Sequence, residues 1–237
     1  MKKLLLLITL LSAFSAFSTA QHHRIKGGKN RLAFDWGAKV GFNSSLPIIN
    51  SLNVNGQEIE NVQVQYNVGY MASLFWRVNL GRVFLQPSVS WHRTSSDLQY
   101  DISAFDPSVD RLTMERIKVK TQSIAFPMLI GYSIVKEGPF GLSMTAGPNI
   151  SYNYDTSFRT SHDDYHNSYG SSDKSCVSLV TGVGVKLWGL YFDFTYEFGL
   201  NRTESDFKNT SDIYMPPLDM SIDSRTNMIG FSLGFLF

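Results

Sequence analysis

One cysteine, Cys176, stands in the 237 residues of this chain, so no internal disulfide can staple it. Charged residues are also scarce, at 17%, well below the ~25% usual in soluble domains. The formal net charge of +1 offers no basic surface for nucleic acid. Long apolar runs are missing beyond the N-terminus, where none approaches the ~20 residues a helical membrane span requires. At the N-terminus itself Lys2 and Lys3 precede an apolar stretch from Leu4 to Phe17, and Ser18-Thr19-Ala20 offers small residues for cleavage before Gln21. That is the pattern of a secretory signal peptide over 1–20, with 21–31 as a basic tail and 32–237 as the remaining domain. Export without a disulfide or a second helical anchor leaves a soluble domain or a membrane barrel. Mean hydropathy, −0.10, does not separate the two, because alternating strands average to near zero.

The C-terminal residues decide between them. Ile229, Phe231, Leu233, Phe235 and Phe237 alternate with Met228, Gly230, Ser232, Gly234 and Leu236. A strand sends alternate side chains to opposite faces, so one face is bulky and apolar and the other mostly small. An alternating strand ending on an aromatic is the closing strand of a transmembrane β-barrel. Seven more segments carry the same two-residue period, at 32–43, 64–78, 83–92, 123–133, 140–154, 177–187 and 190–200. The expected fold is therefore an all-β, eight-stranded antiparallel up-and-down transmembrane barrel, the smallest usual size.

Glycine placement is an independent test of this phase. Gly37, Gly41, Gly69, Gly131, Gly141, Gly147, Gly182, Gly184, Gly199, Gly230 and Gly234 all fall on the less apolar face. An eight-stranded lumen is only just wide enough for side chains, so crowding there favours small residues. Short turns, at Asn79–Arg82, Lys136–Pro139 and Trp188-Gly189, alternate with four links of about twenty residues centred near Asn53, Pro107, Tyr165 and Asp212. That alternation predicts an outer-membrane protein with both ends in the periplasm and four loops outside. Trp76, Tyr132 and Phe237 fall at one rim and Tyr66, Trp91, Tyr152 and Tyr154 at the other, as two interfacial aromatic belts.

Several of these segments resemble a known family. Ser123-Ile-Ala-Phe-Pro-Met-Leu-Ile-Gly-Tyr132 with Ala146-Gly-Pro148 is similar to the central signature of the PorT-like outer-membrane β-barrel family. Trp36–Asn43 resembles its first strand, and Gly182-Val-Gly184 with Tyr196–Leu200 its sixth and seventh. The resemblance covers nearly the whole mature chain and implies an eight-stranded outer-membrane barrel. Some members serve a protein-secretion apparatus, and the family brings no catalytic residues with it.

Chemistry-bearing side chains are few. The lumen face carries Asp35, Lys39, Arg77, His92, Lys186, Asp193 and Glu197. Ionisable groups at membrane depth raise the question of an ion or proton path. The narrow lumen favours instead a plug of mutually satisfied charges, with Lys186 and Asp193 placed diagonally for a pair across the turn at Trp188-Gly189. His162-Asp163-Asp164-Tyr165-His166 has metal-like spacing, but its Ser/Asn/Gly/Tyr-rich surroundings read as a solvated loop, so no metal or cofactor is expected. Ser90, His92 and Asp97 have no spacing that selects a triad, and no catalytic set is assigned. Cys176 reads as a small inward residue near the far end of the sixth segment.

Each long link sums to −2, while Arg24, Lys26, Lys29 and Arg31 make the basic tail +4. These charges suit either contact with lipid headgroups and acidic partners or simple solvation. Expected partners are outer-membrane lipid, secretion or envelope proteins, and the barrel-assembly machinery, the last through Phe231, Leu233, Phe235 and Phe237. The leading function is non-enzymatic, a structural or interaction protein presenting four loops and accessory to secretion. A narrow channel for ions or small solutes is the alternative, and a lipid-modifying surface enzyme the second.

Overall fold

The computed structural model describes residues 32–54, 57–58, 63–101, 114–160, 168–172, 174–209 and 218–237. Eight strands form the barrel: β1 Leu32–Val54, β2 Val68–Leu80, β3 Val83–Asp101, β4 Met114–Glu137, β5 Phe140–Thr160, β6 Ser175–Leu187, β7 Leu190–Gly199 and β8 Leu218–Leu236. Every neighbouring pair is antiparallel in chain order, and β8 returns to β1 from Gly37↔Leu236 through Asn43↔Gly230 to Val54↔Met220. The sheet is therefore closed and has no open edge across the membrane, which lipid requires. The expected signal peptide, the basic tail and the His162–His166 cluster lie outside the described residues.

Three two-residue turns, Gly81-Arg82, Gly138-Pro139 and Trp188-Gly189, join β2 to β3, β4 to β5 and β6 to β7. Each begins with a left-handed residue, at φ of 71° for Gly81, 57° for Gly138 and 54° for Trp188. Tight hairpins need positive φ there to match strand twist, and Trp188 adopts it without glycine's freedom. We call this the turn end and the opposite end the link end.

The alternation read from the sequence sets which face points where. Outward Phe34, Val40, Phe42, Leu74, Ile130, Met144, Phe194 and Phe235 are exposed, while inward Phe75, Phe84, Ser90, Asn149 and Ser232 are buried. Bulky outward residues run for nine positions per strand, as in Phe34–Phe42, Val83–Trp91, Ile124–Tyr132 and Ile229–Phe237. A tilted transmembrane strand needs ~9–11 residues, so this belt is one bilayer core thick. β3, β4, β5 and β8 are 19, 24, 21 and 19 residues long. They continue well beyond the belt at the link end.

The links are accordingly shorter than twenty residues. Pairing continues past Trp91 to Asp101↔Met114, and Gln63–Tyr66 and Thr203–Asn209 extend the wall against β3 and β8. These extensions escape a hydropathy reading because neither face meets acyl chains there. With no hydrocarbon on either side, Ser, Thr, Lys and Asp suit every position and the two-residue period disappears.

Candidate functional site

The lumen is the candidate site, and it has two parts. In the turn-side half three aromatics enter it from the otherwise small face, each seated over a glycine. Phe75 packs over Gly37, Phe84 over Gly131 and Tyr191 over Gly184; a Cβ on those glycines would lie 2.4, 2.1 and 2.3 Å from the rings or hydroxyl. The glycines are obligatory because the ring occupies the side-chain volume. Phe75, Tyr191 and Leu236 form one buried cluster, with the Phe75 and Tyr191 ring centres 5.6 Å apart.

Charged residues are threaded into this packing. The Arg77 guanidinium lies 4.1 Å from the Phe84 ring centre and 5.0 Å from that of Tyr191. Its Nε and Nη2 donate to Gln86 Oε1 at 3.0 and 2.6 Å. Such a planar cation stacks on aromatic faces while its edge hydrogen-bonds. Lys39 Nζ pairs with Asp193 Oδ2, both side chains being nearly inaccessible, at 7% and 3%. Nearer the turn end, Asn79 Nδ2 donates to Asp35 Oδ2 at 2.8 Å.

Asp193 is thus taken by Lys39, which corrects the expected Lys186–Asp193 pair. Lys186 faces Tyr191 in the register and Asp193 faces Gly184. The Tyr191 ring lies over Gly184, across the diagonal along which Lys186 would reach Asp193. On the far side, Gly234 opposite Lys39 leaves room for the lysine to turn inward.

The remaining predicted lumen residues sit above the plug. His92 Nδ1 is 3.1 Å from Asn43 Nδ2, and Ser90 Oγ donates to Ser73 Oγ at 2.8 Å. Glu197 Oε1 accepts from Ser178 Oγ and, at 2.8 Å, from Asn149 Nδ2. Beyond them lies a chamber of about 150 Å³ lined by Ser45, Thr94, Thr121, Ser151, Thr226 and others, with Glu197 the one acidic side chain among its described lining residues. Cys176 lines it as expected, accepting from Asn153 Nδ2 at 3.6 Å. Ser90 and His92 face the lumen, whereas Asp97, an odd position, belongs to the opposite strand face, where it is buried and accepts from Asn67 Nδ2 at 2.8 Å. These three residues are not brought together.

The residues missed by sequence reasoning are Phe75, Phe84, Tyr191, Gln86, Asn43 and Asn149. A signal for the aromatics was present. Each is a bulky ring on the glycine-bearing face, and Phe75 and Phe84 have a glycine as cross-strand partner.

Comparison with known proteins agrees with this architecture. No curated protein matches the sequence. The crystal structure of the outer membrane protein OprG from Pseudomonas aeruginosa superposes with a TM-score of 0.59 at 12% identity, covering 87% of this chain and 97% of that one. The solid-state NMR structure of outer membrane protein AlkL in DMPC bilayers gives 0.50 at 14% identity, covering 92% and 96%. At such identities the likeness is one of fold alone. Residues 19–204 match the family described as outer membrane protein beta-barrel domain, and the chain belongs to that family of the cell outer membrane.

Proposed function

We propose that this protein is a non-conducting, non-enzymatic outer-membrane barrel that presents its link end as an interaction surface. The observation that carries this reading is the occlusion of the turn-side lumen by Phe75, Tyr191 and Leu236, exposed by 1%, 0% and 5%. A lumen filled by rings leaves no continuous water column for ions or solutes. The separation of Asp97 from Ser90 and His92 speaks against a surface hydrolase, because a triad needs mutual hydrogen bonds. What remains for function is the tall, strand-built rim around the polar chamber.

In this reading the turn end and both termini are periplasmic and the link end is external, as expected when short turns face the periplasm. Phe231, Leu233, Phe235 and Phe237 then serve as the assembly signal in the last strand. Within the family we place the chain with the PorT-like barrels, on the motifs Ser123–Tyr132 and Ala146-Gly-Pro148, with an accessory role in protein secretion. The deciding experiment is planar-bilayer recording on the refolded full chain. A steady closed baseline is expected, and regular single-channel steps would replace this reading with the channel. Orientation is read separately, by labelling single cysteines in the links of whole cells on a Cys176→Ser background.

A further inference from the structure

The outward wall above the aromatic belt is not uniform in charge. On β3 and β4, Thr94, Ser96, Val119 and Thr121 line the chamber. The intervening Arg93, Lys118 and Lys120 therefore face outward, since strand side chains alternate. Two of the described carboxylates share this wall, and amides hold both. Gln122 Nε2 donates to Asp155 Oδ2 at 2.6 Å, and Asn67 Nδ2 donates to Asp97 Oδ1 at 2.8 Å. Among the described residues the ion pairs are Lys39–Asp193 and Arg202–Asp223. Among the described residues Arg93, Lys118 and Lys120 thus form no ion pair, although Lys118 stands opposite Asp97 in the register, where Asn67 holds the carboxylate.

Directly beneath them the belt is fixed by hydrogen bonds. Trp91 Nε1 donates to Tyr154 Oη at 2.8 Å, and Tyr154 Oη donates to Gln122 Oε1 at 3.2 Å. Tyr and Trp belts mark the headgroup level, so this chain places the cations at and just beyond the plane of lipid phosphates. In the register Arg93 stands opposite Gln122, with Lys120 one outward position higher and Lys118 two. The wall around β8 differs. Its Arg202 meets Asp223 at 3.5 Å, Asn50 Nδ2 also donates to Asp223, and exposed Arg225 stands singly.

We propose that Arg93, Lys118 and Lys120 form a docking face for the phosphate groups of anionic lipid in the adjoining leaflet. The apolar belt below seats the acyl chains while the three cations meet the phosphate, so one lipid is held at both ends. That the leaflet is the outer one rests on the orientation proposed above; the contact itself rests only on the belt.

The test is native mass spectrometry of the detergent-solubilised full chain titrated with phosphatidic acid and with phosphatidylcholine of equal acyl length. A basic residue near a charged membrane surface favours binding about fivefold, so three give a preference of roughly a hundredfold for phosphatidic acid. That preference should vanish in Arg93→Gln/Lys118→Gln/Lys120→Gln and persist in Arg202→Gln. The folded state of each variant is checked by its heat-modifiable gel mobility. Should the triple variant not fold, wild type alone decides, because a charge-based preference must collapse at high salt. No preference in wild type, or one that survives high salt, the triple variant's substitutions, or is equally lost in Arg202→Gln, would overturn the proposal. Displacement of phosphatidic acid by equimolar inorganic phosphate would also overturn it, since the site would then read a free anion. Neither orientation nor conductance enters this measurement, so its failure leaves the proposed function standing.

Discussion

The two halves of the lumen are built from the same eight strands, yet one is packed and the other holds a chamber. The turn-side half holds Phe75, Phe84, Tyr191 and Leu236 with Arg77 and a buried Lys39–Asp193 pair. The link-side half is lined by serine and threonine around a chamber of about 150 Å³. Strand number fixes the barrel's diameter. What fills it depends on side-chain volume on the inward face, and three aromatic–glycine contacts suffice to turn a tube into a cup. On the function proposed above, the difference separates two roles, one half stabilising and sealing, the other presenting polar surface toward the link end.

The most severe way to break the contrast is to empty the packed half. Phe75→Ala with Tyr191→Ala should cost roughly 3–5 kcal/mol for each ring removed, because the closed sheet cannot collapse onto the void. Denaturant titration in detergent measures the loss. The same variant should replace the silent baseline in planar bilayers with discrete conductance steps, and a silent, stable variant would show that these rings are not the seal. Lys39→Met follows in size. It strands the Asp193 carboxylate, 3% exposed, without its cation, a situation that costs about 3–5 kcal/mol. Lys39→Met/Asp193→Leu should recover most of that, since the pair's desolvation is removed with its attraction.

Legibility in the sequence divides along the same line. Where one strand face meets lipid, the two-residue period is imposed by hydrocarbon, so all eight strands and the inward glycines could be placed from Leu32 to Phe237. Where neither face meets hydrocarbon, as from Arg93 to Asp101 and from Met114 to Gln122, no periodic demand exists, and the sequence reads as a link where the chain is strand. Within the lumen, the phase told which residues face inward but not which of them touch. Lys186 and Asp193 looked paired because neighbouring strands bring them close; Tyr191 lying over Gly184 separates them, and Lys39 on β1 reaches Asp193 across the β8 strand. Contacts across a lumen depend on the shear of the barrel, which a single strand's sequence does not carry.

Smaller substitutions sharpen the comparison without destroying the fold. In the packed half, Gly131→Ala puts a methyl 2.1 Å from the Phe84 ring. Overpacking of this kind costs ~1–3 kcal/mol. The obstruction is a side chain and not backbone, so Phe84→Leu in the same chain should relieve part of the loss, a coupling that a double-mutant cycle reads directly.

In the open half the rule inverts. Thr121 lines the chamber, and its replacement by phenylalanine adds a whole ring where Gly131→Ala adds one methyl. The chamber offers about 150 Å³ to receive it. Thr121→Phe should therefore shift unfolding by no more than ~0.5 kcal/mol, the range of substitutions that meet neither packed neighbours nor buried polar groups. A ring tolerated there and a methyl rejected at Gly131, in parallel denaturant titrations, would locate the boundary between seal and cup. Equal penalties at the two sites would mean that the lumen is packed throughout and that the link end presents no cup at all.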